Sequence, residues 1–251
     1  MPEIAPENYE AVYQYFETFE PNLRIQNLGF AVMHAMYSSE VHYQNGMDSR
    51  IHSHLAVGGN VILAPNHQSN ADTPTIAGLV YEEPFELLRN TTNIPAKADM
   101  FEWPVLGKFF PHMRAHPTWR KVDFPDTPEG KVLRDAATDR LILLNIEGLD
   151  HGENAALFTQ ATRKKKQPHV IEEIKPGIAR ISIGAKDPDK LLIVAMGFAY
   201  KFVHIKNTVK LRPVVVVPEP FCPAGMNQER ILYETKRRIQ VATTRAFELA
   251  A

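Results

Sequence analysis

The 251-residue chain sets 28 Lys and Arg against 29 Asp and Glu, a formal charge of −1, so it offers no excess of basic charge for nucleic acid as a general partner. Its single cysteine, Cys222, excludes a disulfide framework and a cysteine-built zinc site and fits a reducing compartment. No run approaches the ~20 apolar residues of a membrane-spanning helix, and the acidic, polar start lacks the pattern of a secretory signal. The expectation is a cytoplasmic protein, with peripheral attachment to a membrane surface as the alternative.

In chain order, Tyr9, Val12, Tyr13, Phe16 and Phe19 recur at helical spacing and predict a helix over Pro6 to Phe19. A second helix is expected over Leu28 to Tyr37, with Phe30, Val32, Met33 and Met36. Such aromatic and methionine-rich faces pack on a core or rest on a lipid interface, and the sequence does not separate the two. From Val41 onward short apolar runs alternate with helical stretches. Val61 to Ala64, Leu141 to Ile146, Leu191 to Met196 and Val214 to Val217 read as strands. Thr73 to Tyr81, Thr127 to Arg140, Gly177 to Gly184 and Gln228 to Leu249 read as helices, the second opened by Asp126-Thr127-Pro128-Glu129. Leu149 to Pro176 reads as one long loop, whose basic run Arg163 to Lys166 is either a solvated segment or a patch for an anionic group. The pattern predicts an α/β fold: a mixed, mostly parallel sheet flanked by helices, with an N-terminal helical segment over residues 1–40 and one α/β unit over 41–251.

Chemistry concentrates in Asn66-His67-Gln68-Ser69-Asn70-Ala71-Asp72, between the strand ending at Ala64 and the helix beginning at Thr73. A histidine oriented by a carboxylate is suited to taking a proton from an alcohol or amine, and ligands on open α/β sheets collect at strand ends. The plainer reading makes Asp72 a helix N-cap ahead of Thr73-Pro74 and His67 a polar strand end.

These pieces together resemble the glycerolipid acyltransferase family, which includes glycerol-3-phosphate and lysophosphatidic acid acyltransferases. Asn66-His67-Gln68-Ser69 with Asp72 fits the family's first block, N-H-x-S-x-x-D. Ala96-Lys97, Pro104-Val105-Leu106-Gly107 and Arg120, thirteen residues beyond that glycine, resemble the second. Glu147-Gly148, after the expected strand Leu141 to Ile146, resembles the E-G of the third block, F-P-E-G-T-R. Ile174 to Arg180, the strand Leu191 to Met196 and Glu219-Pro220 resemble the later elements. Departures bear on the acceptor: Leu149-Asp150 stands where the third block carries Thr-Arg, no glycine precedes the second-block arginine, and Ala195-Met196-Gly197 lacks the usual proline. The long insertion after Gly148 is similar to that of the soluble plastid-type enzymes.

The resemblance implies transfer of a fatty acyl group from acyl-CoA or acyl carrier protein to a hydroxyl of a lipid-precursor acceptor, without cofactor or metal. His67 would be the general base and Asp72 its orienting carboxylate. Lys97, Arg120, Glu147 and Gly148 would contact substrate. Two rivals remain open. One is a non-catalytic lipid-binding relative, against which the intact His67 and Asp72 speak. The other is a metal-dependent phosphoesterase, for which the ten histidines supply no Asp-x-His partner upstream of Asn66.

Overall fold

The computed structural model describes residues 1–44, 46–104, 106–160, 167–205 and 208–251. A short 3-10 turn and α1 (Tyr9–Thr18) lead into α2 (Leu23–Met36), β1 (Glu40–Tyr43) and α3 (Met47–Ala56). Then follow β2 (Asn60–Pro65), α4 (Asp72–Leu79), β3 (Thr92–Lys97), α5 (Leu106–Phe109), β4 (Ala115–Thr118) and α6 (Pro128–Asp150). The chain closes with β5 (Asn154–Ala156), α7 (Gly177–Gly184), β6 (Leu191–Ile205), β7 (Thr208–Val217) and α8 (Gln228–Ala250).

The strands form one seven-stranded sheet in the order β1-β7-β6-β2-β5-β3-β4. Every neighbouring pair is parallel except β6 with β7. The fold is therefore α/β, with a mixed and mostly parallel sheet between helices. β2 and β6 lie at its centre, and alternate residues of each are buried on opposite faces. Ile62, Ala64, Ile193 and Ala195 pack with Ile178 and Ile181 of α7 and Ile231 and Ile239 of α8. Val61, Leu63, Val194 and Met196 pack with Ile51 of α3 and Ile76 and Leu79 of α4. Burial on both faces is why these strands read as unbroken apolar runs rather than alternating ones. α8 lies directly on β6 at Gly197, where a Cβ would come within 2.3 Å of Ala242 and Thr243 backbone atoms. Only glycine fits there.

The structure corrects two sequence expectations. Leu141 to Ile146 is not a strand but the continuation of α6, which begins under the Thr127 cap (Gly130 N–H to Oγ1, 3.1 Å) and runs to Asp150. A six-residue apolar run does not distinguish a buried helix from a strand. This one is leucine-rich and follows Arg140 with no Gly or Pro break, so the helix continues. The missing strand is β5, inside the stretch read as the loop Leu149 to Pro176; it is three residues of Asn-Ala-Ala, too short and too small to register as a pattern. The basic run Arg163 to Lys166 lies outside the described residues.

The N-terminal helices pack onto the sheet unit. Val12, Tyr13 and Phe16 of α1 are buried, and the Tyr13 hydroxyl donates to the Pro117 carbonyl at 3.1 Å. α2 lies against α4, burying Phe30 while Leu28, Val32 and Met36 stay exposed. Among the described residues, no helix is long and apolar enough to cross a membrane.

Candidate active site

β2 and β6 run side by side as far as Pro65 and Met196, where β2 stops and β6 continues. Asn66 bridges the departure. Its side chain imitates one more peptide unit, accepting from Phe198 N–H at 2.6 Å and donating to the Phe198 carbonyl at 3.1 Å. It is fully buried with both groups paired, so it fixes where the next residue leaves the sheet.

That residue is His67. Its Nδ1 lies 2.7 Å from Asp72 Oδ2, and its ring rests on Phe158 with centroids 4.4 Å apart. The His67 backbone N–H donates to Gln160 Oε1 at 2.9 Å. Asp72 is fully buried, whereas the His67 side chain keeps 18 % exposure. The imidazole is thus held from behind by a buried carboxylate and reached from in front by solvent.

Asp72 does not cap the helix in the ordinary sense. Ala71 occupies the N-cap position, and the Asp72 carboxylate turns back onto the loop. Oδ2 accepts from Gln68 N–H at 2.7 Å and Ser69 N–H at 2.9 Å as well as facing His67. Oδ1 accepts from the Tyr200 hydroxyl at 2.6 Å. An anion in the first turn of a helix is favoured by the helix dipole, and a buried carboxylate with this many donors is satisfied as an anion. Ala71 N–H is engaged by Ser69 Oγ at 3.0 Å. The amides of His67, Gln68, Ser69 and Ala71 are consequently committed to holding the turn.

The remaining sequence candidates divide by position. Lys97 ends β3 and Arg120 follows β4, so both stand at the carboxyl edge that carries His67, two and three strands away in the sheet. Arg120 is exposed and Lys97 half-buried, and each is paired with its own carboxylate, Lys97 with Asp99 and Arg120 with Asp123. Glu147 and Gly148 are not with them. They sit in the last turn of α6, where Glu147 pairs with Arg140, and a Cβ on Gly148 would meet Glu153 Oε2 and Asn93 Nδ2 at 2.8 and 2.9 Å. Asn93 lies at the amino end of β3, and Glu153 immediately precedes β5. Glu147 and Gly148 therefore lie at the opposite end of the sheet from His67, about 20 Å along a six-residue strand. The strand expected to deliver them to the site is helix, and the expected third block is misplaced.

The segment after β5 lies beside His67 instead. Phe158, against His67, and Gln160, holding its backbone, begin the stretch Phe158-Thr159-Gln160-Ala161-Thr162-Arg163. It carries the phenylalanine, threonine and arginine of F-P-E-G-T-R in register, a signal that a lone Glu-Gly pair outweighed. Residues 161–163 lie outside the described residues. Tyr200 was missed as well, because nothing local marks a tyrosine 128 positions from Asp72 as its partner.

Two cavities open elsewhere: one of about 200 Å³ among Gly58, Asn60, Leu149 and Gly152, another of about 540 Å³ among Phe124, Thr127, Lys131 and Arg134. Among the described residues no three His, Cys, Asp or Glu side chains group in a way that could hold a metal ion.

Residues 46–199, more than half of the chain, match the sequence profile of the family described as Acyltransferase. The chain belongs to that family. No curated protein matches it significantly. The matched span begins before α3 and ends within β6, so it encloses the His67 turn, β3, β4 and β5. Membership makes the chain an acyltransferase, acting with an acyl donor and a lipid acceptor.

Proposed function

We propose that the enzyme moves a fatty acyl group from a thioester, acyl-CoA or acyl carrier protein, to a hydroxyl of a glycerol-phosphate-type acceptor. The observation that carries the reading is the 2.7 Å contact between His67 Nδ1 and the buried Asp72 carboxylate at a solvent-reached strand end. With Nδ1 bound to the carboxylate, Nε2 takes the acceptor's proton as its oxygen attacks the thioester carbonyl. Asp72 fixes the tautomer and stabilises the imidazolium. A thioester is already activated, so no covalent enzyme intermediate is required. The tetrahedral oxyanion collapses with departure of the thiolate, which the imidazolium can protonate. The turn's own amides at residues 67, 68, 69 and 71 are engaged, so these four are not the donors to that oxyanion.

Lys97 and Arg120 are the carboxyl-edge cations that would receive an acceptor phosphate, Arg120 through its fork and Lys97 as a point charge. By sequence register Arg163 matches the arginine of the third block. Glu147 and Gly148 have no part in this scheme.

The test is thiol release from acyl-CoA and acyl carrier protein, each with glycerol 3-phosphate, lysophosphatidate and a non-phosphorylated alcohol. Release should depend on a phosphorylated acceptor and disappear in His67→Ala. Acceptor-dependent release at the wild-type rate in a folded His67→Ala protein would end the assignment.

A further inference from the structure

We propose that Tyr200 is a positioning residue of this site: its hydroxyl fixes the Asp72 carboxylate from the side opposite His67 and governs how firmly that carboxylate holds the imidazolium. The inference rests on the reading of His67 and Asp72 as base and orienting acid.

β6 outlasts its neighbour. Beyond Met196 it has no β2 partner and continues as an arm paired with β7 alone. Met196 and Phe198 face the α3 and α4 side of the sheet, and strand alternation brings Tyr200 to that same side, packed against the same core cluster. Its hydroxyl reaches Asp72 Oδ1 at 2.6 Å and Thr75 Oγ1 at 3.3 Å. Burial, and then the neighbouring Asp72 charge, push this hydroxyl well above the ordinary tyrosine range, so it remains protonated and acts as a donor. A phenol has one proton. Given to Asp72, it leaves the phenol oxygen to accept from Thr75. The chain of donation is then Thr75 to Tyr200 to Asp72, with His67 on the other carboxylate oxygen. Among the described residues, the titratable groups facing Tyr200 are Asp72 on α4 and Tyr37 at the end of α2, and those hydrogen-bonded to Asp72 are His67 and Tyr200.

Removing the phenol proton concentrates the anion's charge on the oxygen facing His67. The imidazolium is then held more tightly, and the ring loses its proton at higher pH. The ring of phenylalanine preserves the packing. In Tyr200→Phe, the His67 ring titration followed by NMR should move up by about half to one pH unit, while the other histidines stay in place. The acid limb of the kcat/KM profile should follow it. On that acid limb the fall should be about three- to tenfold, the factor that a shift of half to one unit gives, with both KM values unchanged.

A tyrosine that merely ties β6 to α4 would lower thermal stability and leave the titration where it is. An unmoved His67 titration in folded Tyr200→Phe overturns the proposal. Should that variant not fold, Thr75→Val removes the donor behind Tyr200 and should move the titration the same way by a smaller amount; no movement there overturns it equally. The titration is read on the resting protein. It stands apart from the acyl-transfer reading, which fails separately if His67→Ala keeps wild-type turnover.

Discussion

The two ends of the sheet each carry a polar network, and they are built for different ends. At the amino end, Asn60 Nδ2 donates to the Glu153 carbonyl at 2.7 Å, Asn154 Oδ1 accepts from Val61 N–H at 2.7 Å, and Asn93 Nδ2 donates to Glu153 Oε2 at 2.7 Å. Arg114 closes the set, donating to Glu153 Oε1 at 2.6 Å and Asn93 Oδ1 at 3.2 Å. Every one of these bonds ties one strand, or the residue entering it, to another. At the carboxyl end the bonds among Asn66, Gln68, Ser69, Asp72 and Tyr200 converge on one imidazole that solvent can reach. Polar burial alone therefore does not mark a site; what marks it is convergence on a group that can exchange a proton.

The largest expected effect breaks the carboxyl network at its centre. His67→Ala should lower kcat by about 10²–10⁴, the usual worth of a positioned base. Asp72→Asn should lose a comparable factor, because the amide no longer stabilises the imidazolium. Thermal midpoints and thiol-release rates measured on the same samples separate chemistry from folding. His67 is held by the turn without anchoring the core, so its loss should leave the midpoint within a few degrees.

The complementary break falls at the other end. Glu153→Ala strips Arg114 and Asn93 of their acceptor and should cost about 2–3 kcal/mol of stability. Urea denaturation measures it. Turnover per folded molecule should stay at the wild-type value. An equal loss of activity would show that the two ends communicate and that the division drawn above is false.

The sequence made the His67 turn legible because strand, turn and helix are contiguous there. Apolar Val61 to Ala64, the His-x4-Asp spacing and the helix after Asp72 carry the information within fifteen residues. β1, β3 and β4 were not legible: Glu40–Tyr43 is short and polar, and Thr92–Lys97 and Ala115–Thr118 contain Pro95 and Pro117. β5 failed for want of side chains, and its invisibility displaced the third block onto α6. Asp72's second partner was beyond reach for another reason. Tyr200 meets it only because β6 outlasts β2, and strand length relative to a neighbour is a property of the assembled sheet.

A second histidine sharpens the contrast. His116, on β4, is buried against Phe16, and burial, with Arg114 as a lesser cause, pushes it down to about 3. The folded protein keeps it neutral while the unfolded chain protonates near 6.5. Between those values the unfolded state binds the extra proton, so stability falls as pH drops below about 6.5, by up to ~1.4 kcal/mol per pH unit from this residue. His116→Gln should flatten the acid side of a plot of urea midpoint against pH by about one proton's slope. The pH–rate profile per folded molecule should not change.

The smallest effect concerns the two arginines. Arg114 is largely buried and carries its pairing inside the sheet, whereas the Arg120 side chain is 55 % exposed and its partner Asp123 lies three residues away. An exposed ion pair contributes only about 0–1 kcal/mol, so a substrate phosphate can draw the Arg120 fork off Asp123 at little cost, and Lys97 can leave Asp99 in the same way. Arg120→Ala should raise KM for a phosphorylated acceptor by about three- to tenfold and leave KM for the thioester and the melting temperature alone. Arg114→Ala should do the reverse, lowering stability and sparing both KM values. If the acceptor KM ignores Arg120 and Lys97 alike, neither cation holds the phosphate.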